Sequence, residues 1–169
     1  MKRLIAPLAA PMMLALSLTG CGLRPLYAGG AAGPVASTLA HVEVAPIEGK
    51  AGWLVANALR DRLSASGTPQ YRLEIKLDDQ ISGLGVSRDN SVTRERRTLR
   101  ARYQLIDLAH GTTVLDATAG SDSGIDVVGS EYATIAAENT ALERLSGIIA
   151  DQIVSRLALY ADRTPPAAR

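Results

Sequence analysis

The sequence predicts an α+β two-layer sandwich, a four-stranded mixed sheet with two helices on one face, in the order βαβββα. Three observations carry this expectation. Two segments repeat apolar residues at helical spacing. Four segments alternate apolar and polar residues with the period of a half-buried strand. The last three strands follow one another directly, whereas a helix separates the first from them, so one crossover and two hairpins connect the sheet. Each helix has one apolar face, and both faces can be buried together only on the same side of the sheet. The other side is then left polar. The chain has 169 residues, 47% of them hydrophobic, with no Phe and one Trp. That suffices for one core, built from Leu, Ile, Val and Ala.

The first strand is expected within Leu39 to Ile47, where Pro46 ends it. Glu48-Gly49-Lys50 reads as a turn. Ala51 to Ser66 reads as a helix with Leu54, Val55, Ala58, Leu59 and Leu63 on one face, stopped by Gly67-Thr68-Pro69. Tyr71, Leu73, Ile75 and Leu77 alternate with Arg72, Glu74, Lys76 and Asp78 in the second strand. Gly83-Leu84-Gly85 suggests a bulge or bend, and Ser87 to Ser91 a turn. The third strand spans Val92 to Leu108 and the fourth Thr113 to about Val128, joined by a turn at His110-Gly111. Ser130 caps a long helix reaching about Ala161, with the stripe Leu142, Leu145, Ile149, Ile153, Leu157 and Tyr160.

Ahead of this domain the chain has a different grammar. Lys2 and Arg3 precede an uncharged run from Leu4 to Ser17, too short for a membrane span. Leu18-Thr19-Gly20-Cys21 follows, and Cys21 is the only cysteine. This pattern matches a bacterial lipobox, with cleavage before Cys21 and acylation of its thiol. An unpaired thiol in an oxidising compartment then needs no disulfide partner. The expected organisation is a signal peptide at 1–20, a lipidated cysteine and flexible tether at 21–38, one domain at 39–163 and a disordered tail at 164–169. Gly22, where inner-membrane retention favours Asp, points to the outer membrane.

Removing residues 1–20 changes the formal charge from +1 to −1, because Lys2 and Arg3 leave and no acid does. Global charge therefore gives no reason to expect nucleic acid. The local pattern is more informative. Six arginines, at 88, 94, 96, 97, 100 and 102, fall between Val86 and Tyr103. Arg94, Arg96, Arg100 and Arg102 share strand parity and form a ladder on the polar face. Guanidinium groups clamp phosphate and carboxylate, so these four are the candidate anion-binding residues. The alternative is a solvated face balanced by Glu74, Asp78 and Asp116. No aromatic platform interleaves the arginines for stacking bases. No catalytic elbow, zinc spacing or phosphate loop is present, and His41 and His110 have no local partners. The sequence thus predicts no enzyme, cofactor or metal.

Cys21-Gly22-Leu23-Arg24-Pro25-Leu26-Tyr27 resembles the mature start of the lipopolysaccharide-assembly lipoprotein family LptE, in its alphaproteobacterial form. Val44-Ala45-Pro46-Ile47, Asn57 to Leu63, Tyr71-Arg72-Leu73, Tyr132-Ala133 and Arg156 to Tyr160 are similar in wording and order. Leu23 departs conservatively from the usual Phe. The resemblance implies an outer-membrane lipoprotein that sits in the lumen of the β-barrel LptD, aids its assembly and binds lipopolysaccharide (LPS). It implies a four-stranded sheet with two helices and no enzyme activity, but fixes no LPS-contacting residue. A second reading is a periplasmic auxiliary lipoprotein of an ABC-type lipid transporter.

Overall fold

The computed structural model describes residues 33–86, 92–127 and 129–164. Their elements are α1 (Pro34–Leu39), β1 (Val42–Val44), α2 (Gly49–Leu63), β2 (Tyr71–Val86), β3 (Val92–Asp107), β4 (Thr112–Asp126) and α3 (Glu131–Arg163). The strands lie in the order β1-β2-β3-β4. β1 pairs parallel to β2, and the other pairs are antiparallel. The fold is the expected α+β arrangement with a mixed four-stranded sheet.

Strand alternation builds the core. Leu73, Ile75, Leu99, Ala101, Tyr103 and Leu105 turn to the inner face and are buried. α3 lays Leu142, Leu145, Ile149, Ile153 and Leu157 over β3 and β4, each at most 1% exposed. Burying a side chain of this size contributes roughly 1.5–3 kcal/mol. α2 adds Val55, Leu59 and Leu63 and packs beside α3. Lys50 Nζ donates to Asn139 Oδ1 at 2.7 Å and Arg62 Nε to Asp151 Oδ1 at 2.6 Å, so the two helices run in the same direction. At one end of the sheet, Tyr71 and Tyr160 meet edge to face, their ring centroids 6.4 Å apart.

Local chemistry sets the helix ends. The Ser130 hydroxyl accepts from Ala133 N, with Glu131 in the first turn of α3. α2 ends at Ser64, whose φ of 49° is left-handed. Gly52 lets α2 pass close to the chain leaving β1. A Cβ there would stand 2.5 Å from the Ile47 carbonyl oxygen.

Three local expectations are corrected. Residues 34–38, expected to belong to the tether, form most of α1. Pro34 supplies the fixed φ of a first helical turn, and Val35 and Leu39 are buried in the core. There are thus three helices rather than two among the described residues. β1 is only three residues long, because the chain turns away after Ala45 N donates to Leu73 O. Gly83 and Leu84 continue the β2–β3 ladder in register. The described register shift falls instead between Leu105 and Ile106, where β3 pairs with β4. The turn expected at residues 87–91 lies outside the described residues, as do Arg88, Cys21 and the leader.

Candidate functional site: the outer face of the sheet

β3 carries the arginine ladder, and its register places the four candidates as their parity predicts. Arg94, Arg96, Arg100 and Arg102 are all exposed on the face away from the helices. Arg97 has the opposite parity and points inward. Its Nε and Nη2 hold the two Asp79 carboxylate oxygens at 2.8 and 2.5 Å, and its Nη1 donates to Glu138 O at 2.9 Å. Asp79 holds the Arg97 guanidinium more firmly protonated than usual. Arg97 is therefore a strut between sheet and α3, not a binding residue. Arg144 performs a similar task by donating to Ser123 Oγ.

The neighbouring strands alter the electrostatics of the ladder. β4 places Asp116, Asp122 and Asp126 on the outer face beside it. Arg94 Nε meets Asp126 Oδ1 at 2.9 Å, and Arg96 Nε approaches Asp122 Oδ2 at 3.8 Å. Arg102 grips Asp116 with Nη2 at 3.1 Å and Nε at 3.4 Å, while Gln104 Nε2 donates to the same carboxylate at 2.8 Å. These bonds, Arg102 foremost, lower the Asp116 pKa. Across the described strands the outer face has six cations, Arg72, Lys76, Arg94, Arg96, Arg100 and Arg102. It has six anions, Glu43, Glu74, Asp78, Asp116, Asp122 and Asp126. The face as a whole is balanced.

One part of it is not neutralised in this way. Arg100 has no ion pair among the described residues, and neither has Lys76 on β2. Opposite Arg100, β4 has Gly120, which contributes no side chain. The result is a depression of about 430 Å³ lined by Lys76, Asp78, Arg100, Arg102, Thr118 and Gln152, among others. Gln152 reaches round from α3. Its Oε1 accepts from Gly120 N at 3.0 Å and its Nε2 donates to Gly120 O at 3.2 Å. This amide occupies the open edge of β4 as a neighbouring strand would. Three cations and one acid converge on the depression, which suits a phosphate or carboxylate. Lys76 and Gln152 were not singled out from the sequence. Lys76 lay on the wet parity of its strand, but its proximity to Arg100 depends on pairing between strands.

The expectation that the histidines lack local partners is corrected, since each has one within four residues. His41 Nδ1 donates to Ser37 O at 2.6 Å, and exposed His110 meets Asp107 Oδ2 at 2.6 Å in the β3–β4 turn. His110, followed by the Ala109 N–H, lowers the Asp107 pKa. Among the described residues, no group of three His, Cys, Asp or Glu is arranged to hold a metal ion. No described helix is long and apolar enough to cross a membrane.

Comparison with known proteins places this geometry in context. The sequence model of the lipopolysaccharide-assembly family LptE matches residues 39–157, more than two thirds of the chain. The crystal structure of a candidate lipoprotein from Caulobacter crescentus is 26% identical, with a TM-score of 0.68. The match covers 80% of this chain and all of that one. Rare lipoprotein B from Shewanella oneidensis shares the fold at 10% identity and a TM-score of 0.59, over 72% of this chain and 96% of that one. A minor lipoprotein from Acinetobacter baumannii does so at 17% identity and a TM-score of 0.54, over 75% and 96%. A search of curated proteins found no match.

Proposed function

The chain belongs to the LptE family of lipopolysaccharide-assembly lipoproteins, and from that premise we propose that it is anchored to the outer membrane through Cys21 and forms a complex with the LPS-translocon barrel LptD. In that complex it aids barrel assembly and the delivery of LPS to the outer leaflet, without catalysing a reaction. The observation that carries the proposal is the family match over residues 39–157. The lipobox at Leu18 to Cys21 and Gly22 support the membrane assignment. Stable attachment needs more than one acyl chain, as each buried methylene contributes only about 0.8 kcal/mol.

The anion-binding role proposed for Arg94, Arg96, Arg100 and Arg102 narrows to part of the ladder. Arg100 and Lys76 hold the phosphates of LPS, with Arg102 shared between ligand and Asp116. Arg94 is hydrogen-bonded to Asp126, and Arg96 has Asp122 beside it at 3.8 Å. The free cations beside Gly120 support this division. Purification of the intact lipoprotein from a detergent extract tests the partner. A stoichiometric large outer-membrane barrel is expected. Recovery of inner-membrane ABC-transporter subunits instead would refute the assignment and favour the transporter reading.

A further inference from the structure

β4 is an outer strand of the sheet and, at 15 residues, far longer than the three-residue β1 at the opposite edge. A long free edge is a template for pairing with another strand. The register shows which groups line it. Val127 N donates to Thr93 O at 3.1 Å, so the odd residues of this segment turn their backbone toward β3. The even residues turn their N–H and C=O groups to the edge. Among the described residues, Thr118 and Asp122 have no hydrogen bond there. Gly120, between them, has both its groups taken by one side chain. Gln152 Oε1 accepts from Gly120 N at 3.0 Å, and Gln152 Nε2 donates to Gly120 O at 3.2 Å. This clamp interrupts the edge midway and leaves a short run of outward groups on each side.

We propose that Gln152 guards this edge against a second copy of the chain, and that without it two copies join β4 to β4 in an antiparallel pair centred on Gly120. Three features point to a second copy as the strand that is kept out. The first is charge. Pairing about Gly120 sets Asp122 opposite Thr118 of the other copy and Asp116 opposite Gly124, so no two aspartates of the edge stand directly opposite each other. The second is apolar surface. Ile148, Gln152, Ser155 and Leu159 form one stripe on α3, at spacings of four, three and four residues. Ile148 and Leu159 are exposed although both are large and apolar. They flank Gln152, so a two-fold axis at Gly120 brings Ile148 of each copy toward Leu159 of the other. The third is space. Gly120 has no side chain and the two Gly120 backbones would pair at the axis, which is the place the Gln152 amide now fills. The clamp thus blocks the one register in which charge, apolar surface and backbone all favour self-pairing. This inference stands apart from the choice of barrel partner.

Light scattering on the mature protein in excess detergent micelles tests the proposal over a range of protein concentrations. The wild type should stay monomeric. Gln152→Ala should double in protein mass as concentration rises. Gln152→Ala/Thr118→Asp should return to the monomer, because the new carboxylate stands opposite Asp122 of the other copy, twice by symmetry. A Gln152→Ala protein as monomeric as the wild type would overturn the proposal. So would a wild type that is already dimeric, or a dimer that persists in the double variant, since the contact would then lie elsewhere. A second measurement needs no variant and covers the case in which Gln152→Ala fails to fold. In amide hydrogen exchange on the wild-type monomer, Gly120 should exchange at least about tenfold more slowly than Thr118 and Asp122. Equal rates at the three amides would equally overturn the proposal, because either the clamp would be absent or the whole edge would already be covered.

Discussion

Replacing Arg97 by Met keeps most of the apolar stem and removes the strut between β3 and α3. The side chain is 11% exposed and its partner Asp79 24%, so the ion pair is poorly screened. Three charge-assisted bonds are lost, two to Asp79 and one to Glu138 O. A single such bond contributes about 1.5–3 kcal/mol, and breaking a buried pair costs about 3–5. Partial exposure of Asp79 and the desolvation already borne by Arg97 reduce the sum, giving an expected loss of about 2–3 kcal/mol. Arg94→Met provides the contrast. Arg94 and Asp126 are 64% and 74% exposed, and such pairs contribute about 0–1 kcal/mol. Urea unfolding should show a much lower midpoint for Arg97→Met and a nearly unchanged one for Arg94→Met. Asp79→Asn should resemble Arg97→Met, and the double variant should lose less than the sum of the two. If Arg94→Met were the more damaging change, or Arg97→Met cost under about 0.5 kcal/mol, the inward placement of Arg97 would be wrong.

Three further outcomes follow from the same geometry. Gly52→Ala should destabilise by about 1–3 kcal/mol in urea melts, because its Cβ would meet the Ile47 backbone; an unchanged midpoint would refute that close packing. Asp107 and Asp116 both have folded pKa values below the ordinary carboxylate value. Their stabilisation is present above the unfolded-state pKa and is lost as pH falls through the folded values, so acid melts of Asp116→Asn should lose less stability than wild type. Equal acid sensitivity would remove Asp116 from the account. Cys21→Ala should leave the protein periplasmic or as uncleaved precursor in fractionation, whereas normal membrane recovery would refute lipidation.

The strands were legible because one face of the sheet is buried and the other wet, and alternation records this directly. The parity of Arg94, Arg96, Arg100 and Arg102 was legible for the same reason. Their neutralisation was not. It depends on which β4 residues stand beside which arginines, and Asp122 and Asp126 reach Arg96 and Arg94 only through the antiparallel register. α1 was missed because six residues complete under two helical turns, too few for periodicity to register. Pro34 at its first position was the available signal. The depression at Arg100 was hidden for a third reason. It exists because Gly120 faces Arg100 and Gln152 folds round the β4 edge, both long-range relations.

The central claim is that the free cations of the outer face, not the whole arginine ladder, engage the acidic groups of LPS. Binding of purified LPS to the wild type, Lys76→Ala/Arg100→Ala and Arg94→Ala/Arg96→Ala, all checked for unchanged folding, measures it directly. Loss of two charge-assisted contacts predicts binding at least about tenfold weaker for Lys76→Ala/Arg100→Ala. Arg94→Ala/Arg96→Ala should stay within about twofold of wild type, since each arginine already serves an aspartate. Equal affinity in all three proteins, or the larger loss in Arg94→Ala/Arg96→Ala, would contradict it.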